Sequence, residues 1–193
     1  MLKPCVWGCA RPRIEGRNHL RTLNGPAVFV ANHTSHLDTP LILGALPRSI
    51  ASRTAVGAAA DYFFTSSLTG VTTALLFNAF PVQRHGKHRA VCGVAMDLLD
   101  EGWNVLLYPE GTRSPDGRLG AFKSGAARLC VETGVPAVPV ALSGAHTVIP
   151  RGARFPAPAR TRVRIRFGHP IAPTAGETWQ ALRDRMRQRI SEL

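Results

Sequence analysis

A short apolar run, Ala27-Val28-Phe29-Val30-Ala31, passes without a break into Asn32-His33-Thr34-Ser35-His36-Leu37-Asp38. The run is too short for a helix and rich in β-branched and aromatic residues, so it predicts a buried strand. Behind it, Asp38-Thr39-Pro40 opens a helix, with cap-type residues and a proline in the first turn. A strand running straight into a helix constrains this chain to an α/β architecture. It also leaves His33 at the junction, where such proteins tend to place chemistry. A carboxylate five residues beyond an imidazole can accept one ring N–H and fix the tautomer. The other nitrogen is then left to take a proton from a substrate hydroxyl. The plainer alternative is that His33 only caps the helix.

A second junction of the same kind follows. Asn104-Val105-Leu106-Leu107-Tyr108 is another buried-strand run, and Pro109-Glu110-Gly111-Thr112-Arg113-Ser114 comes directly after it. Two weaker blocks are Phe80-Pro81-Val82-Gln83-Arg84 and Val135-Pro136-Ala137-Val138-Pro139-Val140. In kind, order and spacing these four blocks, over roughly residues 25–143, resemble the motifs of the glycerolipid acyltransferases, whose prototype acylates 1-acylglycerol-3-phosphate.

The resemblance implies a single-domain α/β sandwich over 1–193, with a mixed, partly parallel central sheet flanked by helices. It implies transfer of a fatty acyl group from acyl-CoA or acyl carrier protein to the free hydroxyl of a lysophospholipid. The first acceptor to consider is 1-acylglycerol-3-phosphate, which would give phosphatidic acid; a lyso-aminolipid or a glycosylated lysolipid is the alternative. His33 is then the general base and Asp38 its orienting partner. Arg84, Glu110, Gly111, Thr112 and Arg113 form the site for the acceptor phosphate. The chemistry fits the assignment: guanidinium groups bind phosphate oxygens in bidentate fashion, and a glycine lets the backbone approach closely. Glu110 cannot bind an anion itself and reads as orienting an arginine or backbone N–H groups. Gln83 departs from the acidic or small residue usual before the arginine of the second motif. Asn32, Thr34 and Ser35 are all candidate donors to the oxyanion. Pro136 and Pro139 would shape the acyl-donor side or simply stiffen their strand. No cofactor and no metal are expected, and His36 receives no role.

The formal net charge is +12, from 24 Lys and Arg against 12 Asp and Glu. Such a balance implies anionic partners: phosphate-bearing substrates, acidic carrier proteins, an anionic membrane surface or nucleic acid. Nucleic-acid binding would call for aromatics interleaved with the basic residues, whereas the aromatics here sit mostly in apolar runs. A metal hydrolase using His33, His36 and Asp38 is the other competitor. The remaining histidines offer no second clustered pair, and a zinc site needs three or four ligands. Cys5, Cys9, Cys92 and Cys130 form no disulfide-rich pattern and no signal peptide precedes them, which points to a reducing interior. No stretch reaches the ~18 uninterrupted apolar residues of a spanning helix. Val56–Phe80 comes nearest, but it carries Asp61, Asn78 and several hydroxyls. Fewer residues precede Asn32 than is usual for the family, so its membrane-touching helices are expected to be absent or reduced. The expected location is cytoplasmic, peripherally on the inner face of the cell membrane. Basic residues and the aromatics Tyr62, Phe63 and Phe64 would provide the contact.

Along the rest of the chain, residues 1–12 read as irregular and Arg13–Leu20 as a first strand. Ile50–Val56 and Ala79–Gln83 read as further strands, and Ala58–Phe64 and Val71–Asn78 as helices. His88–Leu99 carries one apolar stripe and predicts a helix. Lys123–Thr133 predicts another, closed by Gly134, with Val135–Leu142 as the next buried strand. From Arg160 to Phe167 the alternation is strict, with Arg162, Arg164 and Arg166 on one face. That pattern predicts a half-exposed edge strand, its arginines solvated or touching anionic lipid. Trp179, Leu182, Met186, Ile190 and Leu193 recur at helical spacing, from a start at Glu177-Thr178.

Overall fold

The computed structural model describes residues 7, 10–59, 78–82, 88–148 and 162–193. Seven strands form one sheet: β1 Arg13–Glu15, β2 Val28–Ala31, β3 Thr54–Ala59, β4 Ala79–Val82, β5 Asn104–Leu107, β6 Ala137–Ser143 and β7 Arg164–Phe167. Their order is β1-β7-β6-β2-β5-β3-β4. Every neighbouring pair is parallel except β6 with β7. The helices that matter below are α1 Asp38–Ala45, α2 Arg48–Ala51, α3 His88–Asp100, α4 Gly125–Thr133, α5 Ala145–Val148 and α6 Trp179–Glu192.

β2 is the middle strand, and Ala27 through Ala31 have no exposure at all. A strand buried on both faces reads as a continuous apolar run, which is what the sequence shows there. Alternate side chains divide the core into two layers. Phe29 and Ala31 pack with Leu41, Ile42 and Ala45 of α1 on one face. Val28 and Val30 pack with Ala126, Leu129 and Cys130 of α4 and with Leu182 and Met186 of α6 on the other. Helices on both faces of a mostly parallel sheet are the expected solution for alternating strands and helices.

Two buried asparagines hold the registers. Asn104, at the start of β5, accepts from the Ala27 N–H (3.0 Å) and donates to the Arg53 carbonyl (3.2 Å), so it ties down the entries of both adjoining strands. Asn32, at the end of β2, donates to the Leu142 carbonyl (2.9 Å) and accepts from the Leu142 N–H (2.7 Å), closing β2 onto β6. A buried side-chain amide must have its groups satisfied, and here backbone does it.

Several sequence expectations need correction. The strand from Arg164 to Phe167 is interior, lying between β1 and β6; it pairs antiparallel with β6 and parallel with β1, so β1 and β7 run together against the other five strands. Alternation reports that one face is buried, as Val163, Ile165 and Phe167 are. It does not report how many hydrogen-bonded neighbours a strand has. The first strand ends at Glu15, and Arg17–Thr22 forms a 3-10 helix after Gly16, whose φ is +76°. Arg48–Ala51 is a short helix, so the strand expected from Ile50 begins only at Thr54 and runs to Ala59. The helix expected from Lys123 starts at Gly125, and Gly134 (φ +72°) closes it. Thr178 does cap α6, its hydroxyl accepting from the Ala181 N–H. The helix expected over Ala58–Phe64 is contradicted at its start, where Ala58 and Ala59 continue β3, and Asn78, expected to end the helix over Val71–Asn78, is a turn residue. The remainder of both, the aromatics Tyr62 to Phe64, and Gln83 and Arg84 lie outside the described residues.

Candidate active site

Parallel neighbours end at the same edge of a sheet, so the C-terminal ends of β2, β5 and β6 lie side by side. The two polar blocks thereby meet: Asn32 to Asp38 leaves β2, and Tyr108 to Ser114 leaves β5. This is the edge at which open α/β sheets bind ligands.

His33 Nδ1 lies 2.8 Å from Asp38 Oδ2. The imidazole is 21% exposed and the carboxylate not at all, which leaves the ring's far side as its route to solvent. Asp38 is the first residue of α1, yet its carboxylate points back along the chain. The same Oδ2 accepts from the Thr34 N–H (2.6 Å) and the Ser35 N–H (2.8 Å). One buried oxygen therefore gathers the imidazole and two backbone amides, and charge-assisted bonds of this kind are the strong ones. With Nδ1 donating to Asp38, the tautomer leaves the Nε2 lone pair available as a base. Asp38 Oδ2 is thus taken up by three N–H groups, while its buried Oδ1 makes no hydrogen bond among the described residues. No group of three or more His, Cys, Asp or Glu among the described residues is placed to hold a metal ion, so the His33, His36 and Asp38 ligand set finds no support there.

Tyr108 closes the inner side of the imidazole. The two rings stack with centroids 4.1 Å apart and planes at 22°. The phenol oxygen is 2.8 Å from Thr39 Oγ1, in the first turn of α1. Burial pushes the Tyr108 hydroxyl well above its ordinary pKa; the Asp38 charge adds to this and the Thr39 bond opposes it. The phenol thus stays neutral and braces the ring mechanically. Sequence reading took Tyr108 as the last residue of a strand and missed this contact.

Glu110 links the blocks in a way only the fold reveals. Its Oε1 accepts from the His33 N–H (2.8 Å) and its Oε2 from the Gly120 N–H (2.9 Å). The Ser114 N–H returns a bond to the His33 carbonyl (2.8 Å). His33 is thereby held from both sides of its own peptide unit by the turn after β5. Gly111 follows at φ +73°, where an L side chain is strained. A Cβ there would also meet the Lys123 side chain, at 2.9 Å from Cε and 3.0 Å from Nζ. Thr112 is exposed and Arg113 half-buried on the same turn. His36 is exposed at the mouth of this edge. Its pKa is lowered, first by desolvation, then by the Arg113 charge and by His33, while Asp38 acts the other way. Arg113 therefore lies close enough to His36 for its charge to be felt there.

Of the three candidate oxyanion donors, Asn32 has its amide engaged with Leu142, and the Thr34 and Ser35 N–H groups point at Asp38. The Thr34 hydroxyl is buried and makes no hydrogen bond among the described residues. The structure brings together His33, Asp38, Glu110, Gly111, Thr112 and Arg113; Arg84 cannot be placed, since it lies outside the described residues.

Comparison with known proteins gives a consistent result. The chain is 38% identical over 143 residues to a chloroplastic 1-acyl-sn-glycerol-3-phosphate acyltransferase of Arabidopsis thaliana, covering 72% of this chain and 38% of that protein. It is 31% identical over 160 residues to 1-acyl-sn-glycerol-3-phosphate acyltransferase alpha of Mus musculus, covering 80% of this chain and 53% of that one. The match thus spans about half, or less, of these relatives' own lengths. The crystal structure of a 1-acyl-sn-glycerophosphate acyltransferase from Thermotoga maritima superposes with a TM-score of 0.74 at 26% identity, over 98% of this chain and 74% of that one. The Acyltransferase family model matches residues 11–143, the stretch that holds both junctions, and the chain belongs to that acyltransferase family.

Proposed function

We propose that this protein transfers an acyl group from a thioester donor to the free hydroxyl of 1-acylglycerol-3-phosphate, giving phosphatidic acid. The observation that carries the reading is the His33 imidazole, fixed on one nitrogen by buried Asp38 and open on the other, beside a turn bearing Arg113. His33 Nε2 takes the proton of the acceptor hydroxyl as its oxygen attacks the thioester carbonyl. The tetrahedral intermediate collapses by breaking the C–S bond. The imidazolium returns the proton to the departing sulfur, so an ester and a thiol leave. A positioned base of this kind is typically worth 10²–10⁴-fold, about 3–5 kcal/mol of barrier. Arg113 and Arg84 hold the acceptor phosphate in register. Glu110 acts through the backbone of His33. Acyl-CoA and acyl carrier protein are both thioester donors that fit this chemistry, and no further cofactor enters it.

An amphiphilic acceptor requires the site to open toward a bilayer. No helix among the described residues is long and apolar enough to cross a membrane. We propose peripheral attachment to an anionic membrane surface through the basic surface, with roughly 1 kcal/mol per basic residue near the lipid. The deciding experiment incubates purified protein with labelled acyl-CoA or acyl carrier protein and a panel of lysolipids, followed by product identification. Labelled phosphatidic acid is the expected product. Acylation of a different headgroup in its place would transfer the chemistry to that acceptor, and no acylated product from any donor would sink the reading.

A further inference from the structure

We propose that Lys123 is a binding residue for the acceptor's phosphate, a cation supplied from outside the Glu110–Arg113 turn. The proposal rests on the acceptor reading above and adds to it a group that the sequence assigned to an ordinary helix.

Residues 120–123 form a strap laid across the turn after β5. The Gly120 N–H donates to Glu110 Oε2 (2.9 Å) and the Lys123 N–H donates to the Pro109 carbonyl (2.8 Å), so both ends of the strap are lashed to the turn. Between them Phe122 is 7% exposed and sinks into the core layer of α3, α4 and α6. An extended backbone sends consecutive side chains to opposite sides, and burying Phe122 therefore turns Lys123 outward over the turn. The result is the contact at Gly111: the methylenes and ammonium of Lys123 lie where a side chain at 111 would stand. Gly111 thus serves a second purpose beyond its positive φ, since any larger residue would displace the lysine.

An exposed lysine is ordinarily a solvated charge. Here the ammonium has no ion pair among the described residues. The nearby Glu110 carboxylate has its two oxygens bonded to the His33 and Gly120 N–H groups. What remains is a positive charge lying over Gly111, one residue from the carboxylate that bonds the His33 N–H. Geometry demands a cation in that neighbourhood. In the acceptor, the phosphate and the reacting hydroxyl are borne on adjacent carbons, so a hydroxyl at His33 Nε2 brings the phosphate within a few ångströms of the same turn. Lysine suits this task as a compact point charge, complementing the planar fork of an arginine.

The test compares wild type, Lys123→Met and Lys123→Arg with acyl-CoA as donor, using a 1-acylglycerol-3-phosphate and the matching phosphate-free 1-acylglycerol as acceptors. In Lys123→Met, KM for the phosphate-bearing acceptor should rise about tenfold, equivalent to about 1.4 kcal/mol. kcat and the donor KM should stay within about threefold. Preference for the phosphate-bearing acceptor should shrink by the same factor, and Lys123→Arg should recover most of it. An unchanged acceptor KM in a normally melting Lys123→Met protein overturns the proposal, as does a rise confined to the donor KM. Equal loss in both variants with a lowered melting temperature also overturns it, because the lysine would then only hold the strap. A wild type indifferent to the phosphate refutes the acceptor reading itself. A wild-type preference that survives Lys123→Met intact refutes the lysine alone.

Discussion

Replacing Glu110 by glutamine separates a backbone-holding role from a substrate-binding one. The carboxylate meets two N–H donors, one per oxygen, at 2.8 Å from His33 and 2.9 Å from Gly120. Glutamine keeps the shape but turns one of those oxygens into an NH₂ group, which then faces a donor. Neither flip of the amide relieves this, because the two donors come from different loops. One bond is lost and the other drops from charged to neutral. Hydrogen bonds to charged groups contribute about 1.5–3 kcal/mol and neutral ones about 0.5–1.5 kcal/mol, so the two changes together are worth about 2.5–4.5 kcal/mol in a fully dry site. Glu110 is only half-buried, so the lower half of that range, about 2.5–3.5 kcal/mol, is the expected loss after solvent screening. Spread over a chain of this size it lowers Tm by roughly 5–14 °C. The same loss frees the His33 peptide, so kcat should fall further than acceptor KM rises. Differential scanning calorimetry and steady-state kinetics on Glu110→Gln measure both. A variant with wild-type Tm whose only defect is a raised acceptor KM would refute the reasoning and place Glu110 on the substrate.

His33→Ala should abolish acyl transfer and leave the circular dichroism spectrum intact, and Asp38→Asn should come close to it; His36→Ala should stay active. Arg113→Ala and Arg84→Ala should raise the acceptor KM with little change in the donor KM, measured by varying each substrate in turn. His36 carries a pKa below its unfolded value. Its contribution to stability is therefore present above the unfolded pKa near 6.5 and is lost as pH falls through the folded one. His36→Gln should flatten the fall of Tm with pH below about 6.5, and an unchanged slope in that variant would refute the assignment. Vesicle binding should require anionic lipid and weaken as salt rises from ~0.05 to ~0.5 M.

The parts of the fold legible in the sequence were those written in contiguous residues. Val28–Ala31 and Asn104–Leu107 announce themselves as apolar runs because both faces are buried, and α6 because its stripe recurs at helical spacing. The His33–Asp38 pair was legible because a single turn of loop brings position 33 against position 38. Glu110's partners were not, since His33 lies 77 residues away and only the parallel pairing of β2 with β5 brings them together. The same holds for the Tyr108–His33 stack. Lys123 was misread for a local reason: its helical periodicity is continuous with that of α4, while the Pro109 carbonyl and the burial of Phe122 hold it out as a strap. The direction of β7 was likewise invisible, because alternation is the same for parallel and antiparallel strands.

The site's rigidity follows from how its groups are tied. His33 is fixed from within its own segment by Asp38 on the ring, and from the turn after β5 by Tyr108 on the ring, Glu110 on the N–H and Ser114 on the carbonyl. Asn32, one residue earlier, anchors the strand end to Leu142. No rotamer of the base need be selected when substrate arrives, so the ordering cost of binding falls on the acceptor and on the cations that meet it. Under the proposed mechanism, chemistry and recognition are then separable on this scaffold. Changes at Asp38, Glu110 or Tyr108 would act on the proposed base and should appear in kcat. Changes at Arg113 or Lys123 would act on the proposed phosphate site and should appear in the acceptor KM. Tyr108→Phe is the informative intermediate, since it keeps the stack and removes only the bond to Thr39. If the ring alone positions His33, that variant retains most of its kcat. A loss as large as that of Tyr108→Ala would instead assign the work to the hydroxyl and to its hold on α1.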